Sequence, residues 1–211
     1  MEEAFHVEDQ RDQTVCYHIA VTDAISIMYR RKSPKSQKLL LSPQVFIDSK
    51  CKNNVFKYLR EPYGLQSRET YAFTMINPHI DAPVVLRYNS DYPRYHANDM
   101  YEIKDRSSFK SVLEANFGDI RKRNPMIGCM KMGPYKEAKT FDPYTHNMAS
   151  DSIRKSLKAE PPHAMVIVGI ETDDGKSNCY VKNSYGEGWG ARGFGQVNIN
   201  DLISIEMIEI E

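Results

Sequence analysis

Two blocks decide how this chain is read: Pro162-His163-Ala164-Met165-Val166-Ile167-Val168-Gly169-Ile170 and Cys179-Tyr180-Val181-Lys182-Asn183-Ser184-Tyr185-Gly186-Glu187-Gly188-Trp189-Gly190. Their apolar runs flank a polar turn, Thr172-Asp173-Asp174-Gly175, which is the pattern of paired β-strands. His163 opens the first run and Asn183 closes the second. Antiparallel pairing therefore brings an imidazole and an amide to one end of a sheet. A histidine steadied by an asparagine is half of a nucleophilic site, and the rest of the chain must supply a Cys or Ser.

Working towards the N-terminus, a helix is expected from Cys16 to about Arg31, with Ile19, Ala20, Ala24, Ile27 and Met28 apolar on more than one face. Such a helix is usually buried between other elements. Cys16 would stand in its first turn, where unpaired N–H groups and the helix dipole favour a thiolate. Leu41 to Asp48 reads as a second helix with Ser42 as cap and Pro43 at its first position. Val55 to Leu59 reads as a third, ended by Pro62 and Gly64, and Ser107 to Phe117 as a short amphipathic one. Residues 76–98 carry Pro78, Pro83 and Pro93 and suggest an extended crossover. Strands are expected at Met126–Met132, Met165–Ile170, Cys179–Lys182, Phe194–Ile199 and Ile203–Ile210, with a long irregular segment from Gly133 to Glu160. The fold class is α+β: a mostly helical lobe over about 1–98, a mostly β lobe over about 99–211, and a cleft between them.

Composition narrows the function. Among 211 residues, 28 basic side chains balance 28 acidic ones, so no net field draws the chain to nucleic acid or an anionic membrane. No run approaches the roughly 18 apolar residues of a membrane span, and the acidic Met1-Glu2-Glu3-Ala4 start lacks the apolar core of a leader. Cys16, Cys51, Cys129 and Cys179 are widely spaced, with no C-x-x-C pair to suggest a metal. A framework without disulfides, cofactor or metal is expected, which suits a reducing, cytoplasmic compartment.

Cys16, His163 and Asn183 together resemble the papain-like cysteine proteases, a family that also serves as a standard example of cysteine spacing and of a depressed thiol pKa. Gln10, six positions before Cys16, matches the family's oxyanion-hole glutamine. Leu41-Ser42-Pro43-Gln44 through Asp48 is similar to its L-S-x-Q-x-x-x-D helix, and Tyr63-Gly64-Leu65 through Tyr71 to its G-I/L-x-x-E-x-x-Y-P-Y segment. His163 to Gly169 resembles H-A-V-x-x-V-G, and Val181 to Gly190 resembles V-K-N-S-W-G-x-x-W-G. The chain also departs from the family. C-G-S-C-W becomes Gln13-Thr14-Val15-Cys16-Tyr17, and C-x-G-G becomes Cys51-Lys52-Asn53-Asn54. Ser49 and Gln13 stand where the family has bridging cysteines, and Tyr185 replaces a tryptophan.

The resemblance implies a cysteine peptidase with a helical left lobe and a β-barrel-like right lobe. Cys16 would be the nucleophile, His163 its imidazolium partner, Asn183 the orienting group and Gln10 an oxyanion donor. Asn53, Asn54, Tyr185 and Trp189 would contact substrate, with Trp189 also shielding the His163–Asn183 bond. Each residue has a plainer reading: a core thiol, a strand-mouth histidine, a solvated glutamine, a packed indole. The implied partners are a peptide or protein substrate and a proteinaceous inhibitor, met by a monomer. Family members usually work in lysosomes, vacuoles or outside cells. The alternative function is a weak or inactive papain-like scaffold acting as a binding module, favoured by the altered Asn53-Asn54 wall; a Cys-His transferase on a related fold is a third.

Overall fold

The computed structural model describes residues 6–11, 14–49, 51, 55–60, 62–74, 91–119, 123–137, 160–173 and 176–210. Helix α1 (Cys16–Lys32) is followed by two short helices, α2 (Gln44–Asp48) and α3 (Val55–Leu59). Strand β1 (Asp99–Ile103), helix α4 (Phe109–Gly118) and strand β2 (Met126–Met130) come next. The chain closes with β3 (His163–Asp173), β4 (Lys176–Lys182), β5 (Phe194–Asn198) and β6 (Leu202–Glu209). The six strands form one sheet in the order β1-β6-β2-β3-β4-β5, with every neighbouring pair antiparallel.

Both faces of this sheet are covered, which explains the unbroken apolar run of β3. Ala164, Val166, Ile127 and Ile208 pack in one core with α1, α2 and α3 residues such as Val21, Ile25, Phe46 and Leu59. Met165, Ile167, Met130, Val181 and Ile205 pack in a second core with Phe109, Leu113 and Phe117 of α4. Helix α1 is buried from Ile19 through Ser26. Its polar residues are satisfied within the helix: Thr22 Oγ1 donates to His18 O at 3.0 Å and Ser26 Oγ to Thr22 O at 2.6 Å. Asp23 is satisfied across the interface by an ion pair with Lys182, the last residue of β4. That pair ties α1 to the strand end from which Asn183 projects.

The cap of α2 is Pro43, one residue later than expected, and Ser42 Oγ accepts from Gln44 N at 3.3 Å. β1 was not expected; its sequence, Asp99-Met100-Tyr101-Glu102-Ile103, lies on an exposed edge and lacks a buried alternation. Its strand character comes from pairing with β6. Of the expected crossover, 75–90 lie outside the described residues, and Tyr95 forms a bridge with Leu65. The irregular 133–160 segment begins with a short 3-10 turn, Gly133–Glu137, and its 138–159 portion lies outside the described residues. The structure forms no disulfide among Cys16, Cys51, Cys129 and Cys179. No described helix is long and apolar enough to cross a membrane.

Candidate active site

The β3–β4 register, Val166↔Lys182, sets the start of β3 beside the residues just past the end of β4. His163 and Asn183 meet there, both buried at 5% and 2% exposure. Asn183 N donates to Gly193 O at 2.9 Å, which fixes its backbone. Its Oδ1 accepts from His163 Nε2 at 2.7 Å and from Ser184 N at 2.7 Å. An amide oxygen can only accept, so Nε2 carries the imidazole proton and Nδ1 is the nitrogen available for chemistry. Burial pushes His163 below its ordinary pKa, opposed by the Asn183 bond and the nearby Glu160 charge. Asn183 Nδ2 is buried with no hydrogen-bond partner among the described residues.

Gln10 joins the same unit through its backbone and its side chain. Gln10 N donates to Ser184 O at 2.8 Å, and Ser184 Oγ donates to Gln10 Oε1 at 2.5 Å. With its oxygen turned towards Ser184, the amide presents its N–H groups on the other side. Close docking of this segment requires glycine. Gly186 has φ +75°, and a Cβ on it would sit 3.2 Å from Asp9 Cβ; at Gly193 (φ +86°) one would lie 2.3 Å from Val7. Gly186 N in turn donates to Glu8 O at 2.8 Å. The Glu8 carboxyl is buried, which alone would raise its pKa, but His6 and Arg68 bind it and hold it below the ordinary range.

Cys16 is the first residue of α1, half-buried, and the preceding Val15 offers no side-chain oxygen to the first-turn N–H groups. Those donors are left for another acceptor, as an oxyanion would be. Tyr185 lies beside both partners. Its ring is 4.5 Å from the His163 ring, and burial pushes its hydroxyl up to about 12, with Cys16 and Glu160 adding to the shift. No hydrogen bond joins Cys16 to His163 in this structure; among the described residues the direct bonds link His163, Asn183, Ser184 and Gln10.

Trp189 lies on the sheet side of the site. It is 3% exposed in the second core, donates Nε1–H to Tyr135 O at 2.7 Å and packs on Gly195. A large ring whose N–H needs a buried acceptor finds one there, and the ring packed on His163, tilted by 37°, is Tyr185. Asn53 and Asn54 lie outside the described residues. His18, near Cys16 in sequence, packs on the Phe46 ring at 5.4 Å between centroids, and its Nε2 bonds with Cys51 O at 3.0 Å. Ser184 was missed: a serine after a strand carries no signal of its own. Among the described residues, no group of three or more His, Cys, Asp or Glu side chains could hold a metal ion.

A family model for the papain family cysteine proteases matches residues 2–210. Curated relatives include mouse (Mus musculus) cathepsin K, 20% identical over 197 residues, covering 89% of this chain and 54% of the relative. Cysteine proteinase 3 of Dictyostelium discoideum is 24% identical over 205 residues, covering 89% and 53%. The chain thus spans about half the length of the curated relatives it matches. Among solved structures, digestive procathepsin L2 of Tenebrio molitor superimposes with a TM-score of 0.74 at 16% identity, covering 98% of this chain and 65% of that one. The Carica candamarcensis cysteine protease CMS1MS2, solved in complex with E-64, gives 0.71 at 14% identity, covering 99% and 94%. The fold is papain-like, and the chain belongs to the papain family of cysteine proteases.

Proposed function

We propose that this chain is a thiol peptidase acting through Cys16, His163, Asn183 and Gln10, folded as one peptidase domain over residues 1–211. The Cys16 thiolate attacks a peptide carbonyl carbon, and the carbonyl π electrons move onto oxygen. That oxyanion takes hydrogen bonds from the Cys16 backbone N–H and the Gln10 side-chain amide. His163 protonates the departing amine from Nδ1, leaving an acyl-enzyme thioester. Water, deprotonated by the same nitrogen, then attacks the thioester carbon, the C–S bond breaks, and the acid leaves with the Cys16 thiolate and the His163 imidazolium restored. Asn183 holds the ring in the tautomer that leaves Nδ1 free for both transfers.

The observation that carries this reading is the bonded unit His163–Asn183–Ser184–Gln10, whose neighbour Tyr185 packs on His163 and feels the charge of Cys16 at the head of α1. Its members come from three separate parts of the chain, and plain core packing gives no reason for that convergence. The Cys16–His163 contact is open here; catalytic hydrogen bonds often tighten only in the substrate complex. The structural neighbour solved in complex with E-64 suggests that compound as a probe of the site. The absence of disulfides supports a reducing compartment as the working place.

The test is hydrolysis of a quenched-fluorescent peptide library by the wild type, Cys16→Ala and His163→Ala proteins. The reading expects cleavage by the wild type and none by either variant. Peptide binding without cleavage by the wild type would make the chain a papain-like binding scaffold instead.

A further inference from the structure

A cavity of about 800 Å³ opens where the end of α1, the segment ahead of β2 and the end of β6 meet. Met28 and Ile210 give it an apolar floor that is continuous with the first core. Arg31, Lys32 and Arg123 bring three cations to its walls, and Glu209 brings one carboxylate. Cys16 begins α1 and Arg31 stands next to its end, so at about 1.5 Å per residue the cavity lies roughly 20 Å from the proposed nucleophile. The proposed chemistry uses none of these residues.

Part of this charge has a local explanation. Arg30, Arg31 and Lys32 fill the last turn of α1, where the helix dipole favours cations. Arg123 belongs to another part of the chain, yet its charge reaches Arg31 and adds to burial in holding that guanidinium below its ordinary pKa. Two guanidiniums brought together repel unless an anion joins them. No carboxylate pairs with either among the described residues, Glu209 included. The Arg31 side chain has no hydrogen-bond partner there, and Arg123 is anchored through Nε, which donates to Phe117 O at 3.1 Å. The two terminal nitrogens of Arg123 are left for a ligand. Lys32 Nζ donates to Ile210 O at 3.2 Å and closes one side.

Volume and charge narrow the ligand. The cavity falls within the range of about 300–1,000 Å³ usual for small-molecule sites, well beyond what a bare inorganic anion fills. Guanidinium forks hold phosphate and carboxylate oxygens in pairs, and two unpaired forks match a dianion. A phosphate monoester carries about −1.5 to −2 charges near neutral pH, a carboxylate only one. The apolar floor calls for a carbon body, and the Glu209 carboxylate opposes an extended polyanion. We infer that this cavity binds a small organic phosphate monoester, its phosphate held between Arg31 and Arg123 and its carbon body laid on Met28 and Ile210. The inference is independent of the peptidase reading.

The test titrates phenyl phosphate into the wild-type protein by calorimetry, beside phenyl sulfate, which has the same shape and a single charge, and inorganic phosphate, which lacks the ring. Phenyl phosphate should bind with a Kd of about 1 mM or tighter, at least about tenfold tighter than either comparison. Arg31 and Arg123 are exposed, so glutamine in their place leaves the core intact. Arg31→Gln and Arg123→Gln should each weaken binding by about 10- to 100-fold. Glu209→Gln removes the negative charge from the lining and should tighten binding by about two- to fivefold. The backbone amide resonances of Arg31, Asn124 and Ile210 should shift on binding. No binding of phenyl phosphate below about 10 mM, equal affinity for phenyl sulfate, or an affinity untouched by both arginine variants overturns the inference. Amide shifts centred elsewhere on the protein overturn it as well.

Discussion

Replacing Asn183 with alanine removes the acceptor on which two buried donors depend. His163 Nε2 and Ser184 N both bond to Asn183 Oδ1 at 2.7 Å, and the site is 2% exposed, so water cannot take over. Each stranded donor costs about 1–3 kcal/mol. The same change deletes Nδ2, which is already buried without a partner among the described residues, and recovers a similar amount. The net loss should be about 1–3 kcal/mol, which for a chain of this size lowers Tm by about 2–12 °C. Function should suffer more than stability. An imidazole displaced by about 1 Å from its working position loses about a hundredfold in rate. Asn183→Asp keeps the acceptor and adds a charge that favours the imidazolium, so it should retain more activity than the alanine variant. Urea denaturation and kcat/KM on one peptide read both effects. An alanine variant of wild-type stability, with kcat/KM within about threefold of wild type, would refute the argument.

Two further outcomes follow from charges that flank the site. Glu8 is held below its ordinary value of 4.5, so the stability it contributes is fully present above that pH and lost as pH falls through the lowered value. Protection of the Gln10 and Gly186 amides against hydrogen exchange, relative to the intrinsic rate at each pH, should therefore fall in acid before global unfolding, and Glu8→Gln should show the reduced protection already at neutral pH. Asp23→Ala strands the buried Lys182 ammonium and should cost about 3–5 kcal/mol in urea denaturation, while an Asp23→Ala, Lys182→Met double variant should recover part of it.

His163, Asn183 and the strand pairing that joins them were legible because an apolar run, a turn and a second run have one economical arrangement. Cys16 at the start of α1 was equally legible, since the helix is apolar on several faces and its first turn falls where the pattern begins. The positions of the two aromatic residues were not. Sequence alone does not say which of Tyr185 and Trp189 lies over the histidine; that follows from the indole N–H finding Tyr135 O in the second core. β1 escaped notice because an exposed edge strand needs no alternation; its partner β6 supplies its order. Glu206 carried a faint signal, a charged residue inside the alternating Ile203-Ser204-Ile205-Glu206-Met207-Ile208 run, but its burial and the hydrogen bond that Tyr17 donates to it at 2.6 Å, 189 positions apart in sequence, belong to the tertiary structure alone.

The central claim is that Cys16 is a nucleophile activated by His163, and covalent labelling tests it most directly. The protein is treated with a peptidyl epoxide at about pH 6, where ordinary thiols react slowly, and the adduct is mapped by mass spectrometry. A single adduct on Cys16 is predicted, with the labelling rate falling at least about a hundredfold in a folded His163→Ala variant. Equal labelling of Cys16 and Cys129, or a Cys16 rate indifferent to His163, would contradict the account.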